Sequence, residues 1–343
     1  MAAKKVSLSD IAKSLGVSKT LVSMVLNNHA DEKGISKATQ KRVWEKIKEF
    51  NYKPNMMARG LRLGRSNTIG LIVSDISNPF YAKIARHIEN FIEPKGFNIM
   101  ICSTDEDVEK EIRLIKMLRD RQTDGLIIST SQKSSKEIKV LLEEKYPFVL
   151  IDRVLPDVKT NSVIVDNFKG SYHAVNHMLQ QGYKNIAAFA VSPVYVSTIN
   201  DRIEGYLRAI KDFGLTYGKA FLKEIPYTSV KSSVKKELIE LLNSKDKINA
   251  IFAVNNNIAV ACLECLNDMK VRIPEDIALV CFDDLEVFKF GRPSITAISQ
   301  PIEEIAKSAV EILLENIKTK EDRQAFSQVK LPTTLIVRRS TVN

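Results

Sequence analysis

The hydrophobic and polar positions of this chain fall into two regimes that meet near Asn67. Up to Phe50 the apolar positions recur at helical period. Leu8, Ile11, Ala12 and Leu15 share one face of a stretch that opens on Ser7, an N-cap residue, with Asp10 at the third helical position. Gly16 stops it. Ser18 opens a second stretch whose apolar face is Leu21, Val22, Val25 and Leu26. Only Gly16 and Val17 separate the two, so the helices must cross steeply, which is helix-turn-helix spacing. A third helix, opened by Ser36, carries Val43, Ile47 and Phe50 at helical period, with Trp44 beside them.

From Thr68 the pattern changes to βα repeats. IGLIV (69–73), NIMIC (98–102), GLIIS (125–129) and FVLID (148–152) are apolar runs of buried-strand length. Helical stretches of roughly a dozen residues lie between them, the crossover length that parallel strands require. A second series follows: NIAAFAV (185–191), NAIFAV (249–254) and DIALVCF (276–282). Two sets of parallel strands predict two doubly wound lobes. The expected fold is therefore α/β, with an all-α helix-turn-helix head ahead of a two-lobed body.

Charge sharpens this division. The chain has 343 residues and a net charge of +10. Residues 1–66 hold 14 Lys+Arg and 5 Asp+Glu, or +9; the rest holds 51−14=37 basic and 41−5=36 acidic residues, or +1. A basic head on a near-neutral body is the electrostatic signature of nucleic-acid binding. Between the two lies NYKPNMMARGLRLGRSNTIG (51–70), with four cations and no acid. Pro54 keeps the preceding helix from entering it, and Gly60 costs any helix there roughly 1 kcal/mol relative to Ala. So short and basic a piece is expected to order only against a polyanion.

In a helix-turn-helix the second helix enters the major groove and its first turn meets base edges. Lys19, Thr20 and Met24 would point outward, with Ser18, Ser23 and Asn27 nearby. Lys19 can donate to guanine, and the methyl groups of Thr20 and Met24 can pack on thymine.

SLSDIAKSLGVSKTLVSMVLNN, ISKATQKRVWEKIKEFNYKPN and ARGLRLGRSNTIGLIVSDISNPFYA resemble the lactose-repressor (LacI-type) family of bacterial transcription regulators over the whole chain. The resemblance implies a head at 1–53, a hinge at 54–66 and an effector-binding body at 67–343, similar to periplasmic sugar-binding proteins. It implies three crossings between lobes, near Asp166, Arg292 and Phe326. The lobes would then be 67–166 with 293–326, and 167–292 with 327–343. Ala58, Arg59 and Leu61 match the hinge motif, with Leu61 as the residue that wedges into the minor groove of a palindromic operator. Tyr52 and Asn55 join the expected DNA contacts. A homodimer is implied, with a monosaccharide or derivative as effector and no cofactor. Met24 departs from the family, in which many members carry Arg or His there, and the loop Asn28–Ile35 is a few residues longer.

Ligands of open α/β sheets sit beyond the carboxyl ends of the strands. Polar residues gather there: Asp75, Asn78, Phe80 and Tyr81 after the first strand, Asp152 and Arg153 after the fourth, then Asp166. Arg202, Asn255, Asp283 and Gln300 follow in the second series. Carboxylates, amides and guanidinium groups for fixed hydroxyls, with aromatics for a ring face, suit a sugar. The set resembles the pentose-binding pattern of ribose-type binding proteins. For any one position the alternative is a structural ion pair or strand cap, as for Asp152 beside Arg153. Asn256 stands where the family more often has Asp.

Other signals read as structure. His173 and His177 lie four apart on a helix with no third ligand, so an ordinary helix surface is expected. Cys262 and Cys265 form a CxxC without a second pair, so small core residues are expected and no metal. Neither GxSxG, a P-loop nor HExxH occurs, and no catalytic residue is assigned. A sugar-binding transport module or a sugar-modifying enzyme remain the alternatives to a regulator. The opening MAAKKVSLSD lacks the apolar stretch of a signal peptide, and no run approaches a membrane span, so a cytoplasmic protein is expected.

Overall fold

A computed structural model describes residues 6–52, 65–132, 136–319 and 326–342. The chain divides into two compact units, Met1–Ser66 and Asn67–Asn343. In the first, α1 (Leu8–Leu15), α2 (Lys19–Leu26) and α3 (Lys37–Glu49) enclose a small core of Ile11, Ala12, Val22, Val25, Ala30, Val43 and Ile47. Local chemistry sets their ends. Ser7 and Asp10 form a reciprocal capping box, Gly16 closes α1 in the left-handed conformation, and Ser18 and Ser36 cap α2 and α3. Trp44 lies outside this core, 41% exposed.

The body begins with β1 (Thr68–Val73), α4 (Pro79–Ile92), β2 (Asn98–Ser103), α5 (Val108–Asp120), β3 (Gly125–Ile128), α6 (Lys136–Glu143), β4 (Phe148–Ile151) and β5 (Ser162–Val165). Next come α7 (Asn167–Gln180), β6 (Ile186–Ser192), α8 (Ser197–Asp212), β7 (Leu222–Pro226), α9 (Val230–Asn243), β8 (Ala250–Ala253), α10 (Asn256–Asp268), β9 (Ala278–Phe282), α11 (Glu286–Phe290) and β10 (Thr296–Ser299). The chain ends with α12 (Ile302–Lys318), β11 (Gln328–Leu331) and β12 (Thr334–Ile336).

Two six-stranded sheets result, ordered β11-β5-β4-β3-β1-β2 and β12-β10-β9-β8-β6-β7. Each is covered on both faces: α4 and α12 lie opposite α5 and α6 on the first, and α9 and α10 opposite α7 and α8 on the second. That double cover is why the central strands read as unbroken apolar runs. Among the described residues all strand pairings are parallel except that of β12 with β10.

The lobes exchange chain at Asp166, between Ser299 and Ile302, and between Leu331 and Thr334. The second and third crossings therefore fall after Arg292 and Phe326, where they were expected. The reason is β10, which pairs with β9 and keeps residues 293–299 in the second lobe, while β11 pairs with β5 and returns 328–331 to the first. β5, β7, β10, β11 and β12 are short or carry charged and polar residues, so no apolar run marks them.

Gly205 sets the approach of α8 to α7: a Cβ there would lie 2.4 Å from the Phe168 carbonyl oxygen and 2.9 Å from Ser171. Backbone cannot yield as a flexible side chain can. Gly205→Ala should destabilise the body by about 1–3 kcal/mol, seen as a lower midpoint in urea unfolding; an unchanged midpoint would show that the helices part freely.

Candidate functional sites in the head and the cleft

In the head, Ser18, Lys19 and Thr20 are exposed at the start of α2, and Ser23, Met24 and Asn27 are half-buried along it. Asn27 donates to the Ser23 carbonyl at 2.6 Å, and Ser18 accepts from the Leu21 amide at 3.1 Å. Tyr52 packs its ring against the three-helix core, and this burial raises its hydroxyl pKa. Asn55, Ala58, Arg59 and Leu61 lie outside the described residues.

In the body, the carboxyl ends of both sheets meet across a cleft that encloses a cavity of about 50 Å³. Lobe one supplies Asp75, Asn78, Phe80, Tyr81, Asp152 and Arg153. Lobe two supplies Arg202, Asn255 and Asp283, and Gln300 comes from the crossing between them. Every expected effector residue but one thus lines a single cavity. The exception is Asp166, which caps α7 through the Lys169 amide and pairs with Lys330 at 3.1 Å. Its carboxyl is used up in holding the first crossing. A larger groove lined by Arg272, Phe290 and Arg292 lies among the segments that lead into β9 and β10, at the amino rather than the carboxyl ends of those strands.

Arg202 organises the second lobe's side. Its Nε donates to Asn167 Oδ1 at 2.8 Å and its Nη1 to the Val254 carbonyl at 2.9 Å. The guanidinium carbon lies 3.6 Å over the Phe282 ring, and Asp283 Oδ2 is 4.0 Å away. Burial raises the Asp283 pKa, while Arg202 and the donating Gln300 amide oppose that rise. Asp152 and Asp283 end corresponding strands, and both have positive φ, 64° and 83°. Such backbone strain is a feature of binding sites held in place by their surroundings.

On the first lobe, Tyr81 donates to Asp152 at 2.8 Å. Arg153 makes a two-point contact with Glu106, at 2.7 and 2.6 Å. Among the described cavity-lining residues, two buried polar atoms, Arg153 Nε and Gln300 Oε1, have no hydrogen-bond partner. One is a donor and one an acceptor, which is what a ligand hydroxyl satisfies.

Polar contacts bridge the lobes. Asn256 Nδ2 donates to Asn78 Oδ1 at 2.8 Å, and Asn78 Nδ2 returns a bond at 3.3 Å. Tyr227 donates to Asp75 at 3.4 Å, and the Val154 amide to Ser197 Oγ at 3.0 Å. By volume the cavity admits a few waters, so a sugar ring requires the lobes to part slightly.

Sequence reasoning missed Glu106, Thr198 and Tyr227, which also line the cavity. Glu106 follows β2 in STDED, a polar strand end like those that were noticed. Tyr227 follows β7, whose LKEIP has no apolar run to reveal a strand. Cys262 and Cys265 are buried in the second lobe's core, as expected. His177 is not plain surface: it is half-buried and bonds Thr341 Oγ1 at 2.9 Å. Among the described residues no helix is long and apolar enough to cross a membrane.

Residues 7–55 match the bacterial regulatory proteins of the lacI family, and residues 175–341 match a periplasmic binding protein-like domain. The repressor PurR of Aliivibrio fischeri (strain MJ11) is 31% identical over 340 residues, 98% of each chain. A LacI family regulator from Enterococcus faecium, solved with bound ribose, is 29% identical with a TM-score of 0.70, covering 80% of this chain and 98% of its own. The lac repressor dimer bound to operator and the anti-inducer ONPF shares the fold, with a TM-score of 0.86 at 23% identity over 99% of this chain and all of its own.

The reciprocal amide pair requires two carboxamides. Asn256→Ala should remove about 1–3 kcal/mol of closure from the ligand-free protein, for two bonds, and increase its radius of gyration in small-angle scattering. An unchanged scattering profile would show that the pair is incidental to closure.

Proposed function

Because the chain belongs to the LacI family of bacterial regulatory proteins, DNA-binding regulators of transcription, we propose that it is a repressor controlled by a sugar-like effector held between its lobes. It acts as a homodimer on a palindromic operator, in the cytoplasm, and not as an enzyme. The observation that carries the effector reading is the cavity itself. Arg202 and Asp283 on one lobe face Tyr81 and Asp152 on the other, and two buried polar atoms of the lining residues, Arg153 Nε and Gln300 Oε1, lack a hydrogen bond. The ribose bound to the Enterococcus faecium relative makes pentoses the first effectors to try. The head supplies Lys19, Thr20 and Met24 to the major groove, and Leu61 supplies the minor-groove wedge.

A ligand that touches both lobes favours their closed arrangement by its differential contacts. In a dimer, closure changes the spacing of the two hinges and hence the fit to two half-sites. A thermal-shift screen of monosaccharides, followed by operator binding with and without each hit, tests the whole scheme. A ligand that stabilises the protein yet leaves operator affinity unchanged would refute it.

The head's +9 charge makes DNA affinity salt-dependent through counterion release. Operator binding measured across a salt series should fall steeply and linearly on logarithmic axes, and footprinting should show two-fold symmetric protection. A flat salt response, or an asymmetric footprint, would contradict the assignment.

Arg202→Ala should lower effector affinity by about tenfold to a hundredfold, since a hydrogen bond to a charged group contributes about 1.5–3 kcal/mol. Effector-free operator binding should stay nearly unchanged. Calorimetry beside an operator assay checks both: an inducer leaves the variant repressing constitutively, and a corepressor leaves it unable to repress. Undiminished effector affinity would place the site elsewhere.

A further inference from the structure

A guanidinium buried in a ligand cleft is ordinarily a handle for a phosphate or carboxylate. In this cleft Arg153 is not available for that role. Glu106 Oε2 and Oε1 take its two terminal nitrogens, and the Ser131 hydroxyl donates to the same carboxylate at 2.9 Å. Both partners are largely buried, with side chains 10% and 15% exposed. What remains of Arg153 is Nε, a buried donor without a hydrogen bond, 3.5 Å from Asp152 Oδ2.

The charge balance points the same way. Asp75, Glu106, Asp152 and Asp283 line the cavity against Arg153 and Arg202, four carboxylates to two cations. The balance stays negative even with Asp283 protonated. Arg202 is itself engaged by Asn167, the Val254 carbonyl and the Phe282 ring. In a cavity with little water an anion would meet this excess unscreened. An uncharged hydroxyl would meet acceptors in Asp152 and Gln300 Oε1 and a donor in Arg153 Nε.

We propose that Glu106 sets the charge selectivity of the cleft: by occupying Arg153 it admits uncharged polyhydroxylated ligands and excludes phosphorylated or carboxylated ones. This deepens the sugar-effector reading and rests on it for the choice of ligand. Glu106 acts through Arg153, as a specificity-determining residue. Its neutral isostere removes a negative charge, weakens the two-point contact and frees the guanidinium to meet an anion.

The test compares the full chain with Glu106→Gln, using inorganic phosphate, ribose and ribose 5-phosphate as probes. Calorimetric and thermal-shift titrations are run at constant ionic strength. Phosphate binding by the basic head is common to both proteins, so the difference between them isolates the cleft. The wild type should bind ribose at least about tenfold more tightly than ribose 5-phosphate, and the variant should narrow that ratio about tenfold or more. The variant should also gain a phosphate response beyond that of the wild type. Glu106→Asp, whose shorter carboxylate loses the two-point contact, should show the same change at smaller amplitude should the glutamine variant fail to fold. Equal phosphate responses in wild type and variant, or a wild type that prefers ribose 5-phosphate, would overturn the proposal. If neither sugar binds either protein, the pentose-effector reading fails, while the phosphate comparison still decides the role of Glu106.

Discussion

A buried guanidinium must be surrounded by partners, and the partners of Arg202 come from several separate elements of the second lobe's side of the cleft. Removing such an ion from water carries a penalty of several kcal/mol unless hydrogen bonds and countercharge replace its hydration. Here the replacements come from separate elements: Asn167 at the first crossing, the Val254 carbonyl at the end of β8, the Phe282 ring of β9 and the Asp283 carboxylate beyond it. Satisfying one charge therefore draws the crossing, two strand ends and helix α8 to a common point. Asp283, in a left-handed backbone, lines the same cavity and accepts from the Gln300 amide.

The parallel order of the sheets explains why the chemistry collects where it does. Parallel strands present all their carboxyl ends at one edge, and the following loops must cap helices and pair charges there. Asn78 caps α4 and lines the cavity, and Asn255 does both for α10. Helix capping and cavity lining thus fall to the same residues. The hydrogen bonds between the lobes, Asn78 with Asn256, Asp75 with Tyr227 and Val154 with Ser197, are polar contacts at the rim of the cavity's lining. Bonds of this kind each contribute about 0.5–1.5 kcal/mol net. Lobe closure built on them is an equilibrium that a modest ligand can shift.

Much of this protein is legible in its sequence. Helix caps and apolar period are local, so the three head helices and their boundaries follow from Ser7, Asp10, Gly16, Ser18 and Ser36 alone. Strands buried on both faces are apolar throughout, so β1, β3, β4, β8 and β9 are visible as runs. Polar residues at their ends mark the cleft, and ten of the eleven proposed effector residues meet in one cavity.

Tertiary structure decided the rest, because it depends on which distant segments pair. β10 and β11 are four residues each, and only their ladders to β9 and β5 assign them to opposite lobes. The sequence presents Asp166 and Asp152 alike, as carboxylates after a strand; Lys330, 164 positions beyond Asp166, claims the one, and Tyr81 directs the other into the cleft. In the sequence Asn256 is only a departure from the family's Asp, yet its amide meets Asn78 across the lobes. Arg153 was visible as a cleft residue, but not the carboxylate that occupies it, since Glu106 lies 47 residues away and reaches it only through the fold. Local pattern determines what each segment becomes; long-range pairing of buried charge and strand edges determines what each polar side chain is free to do.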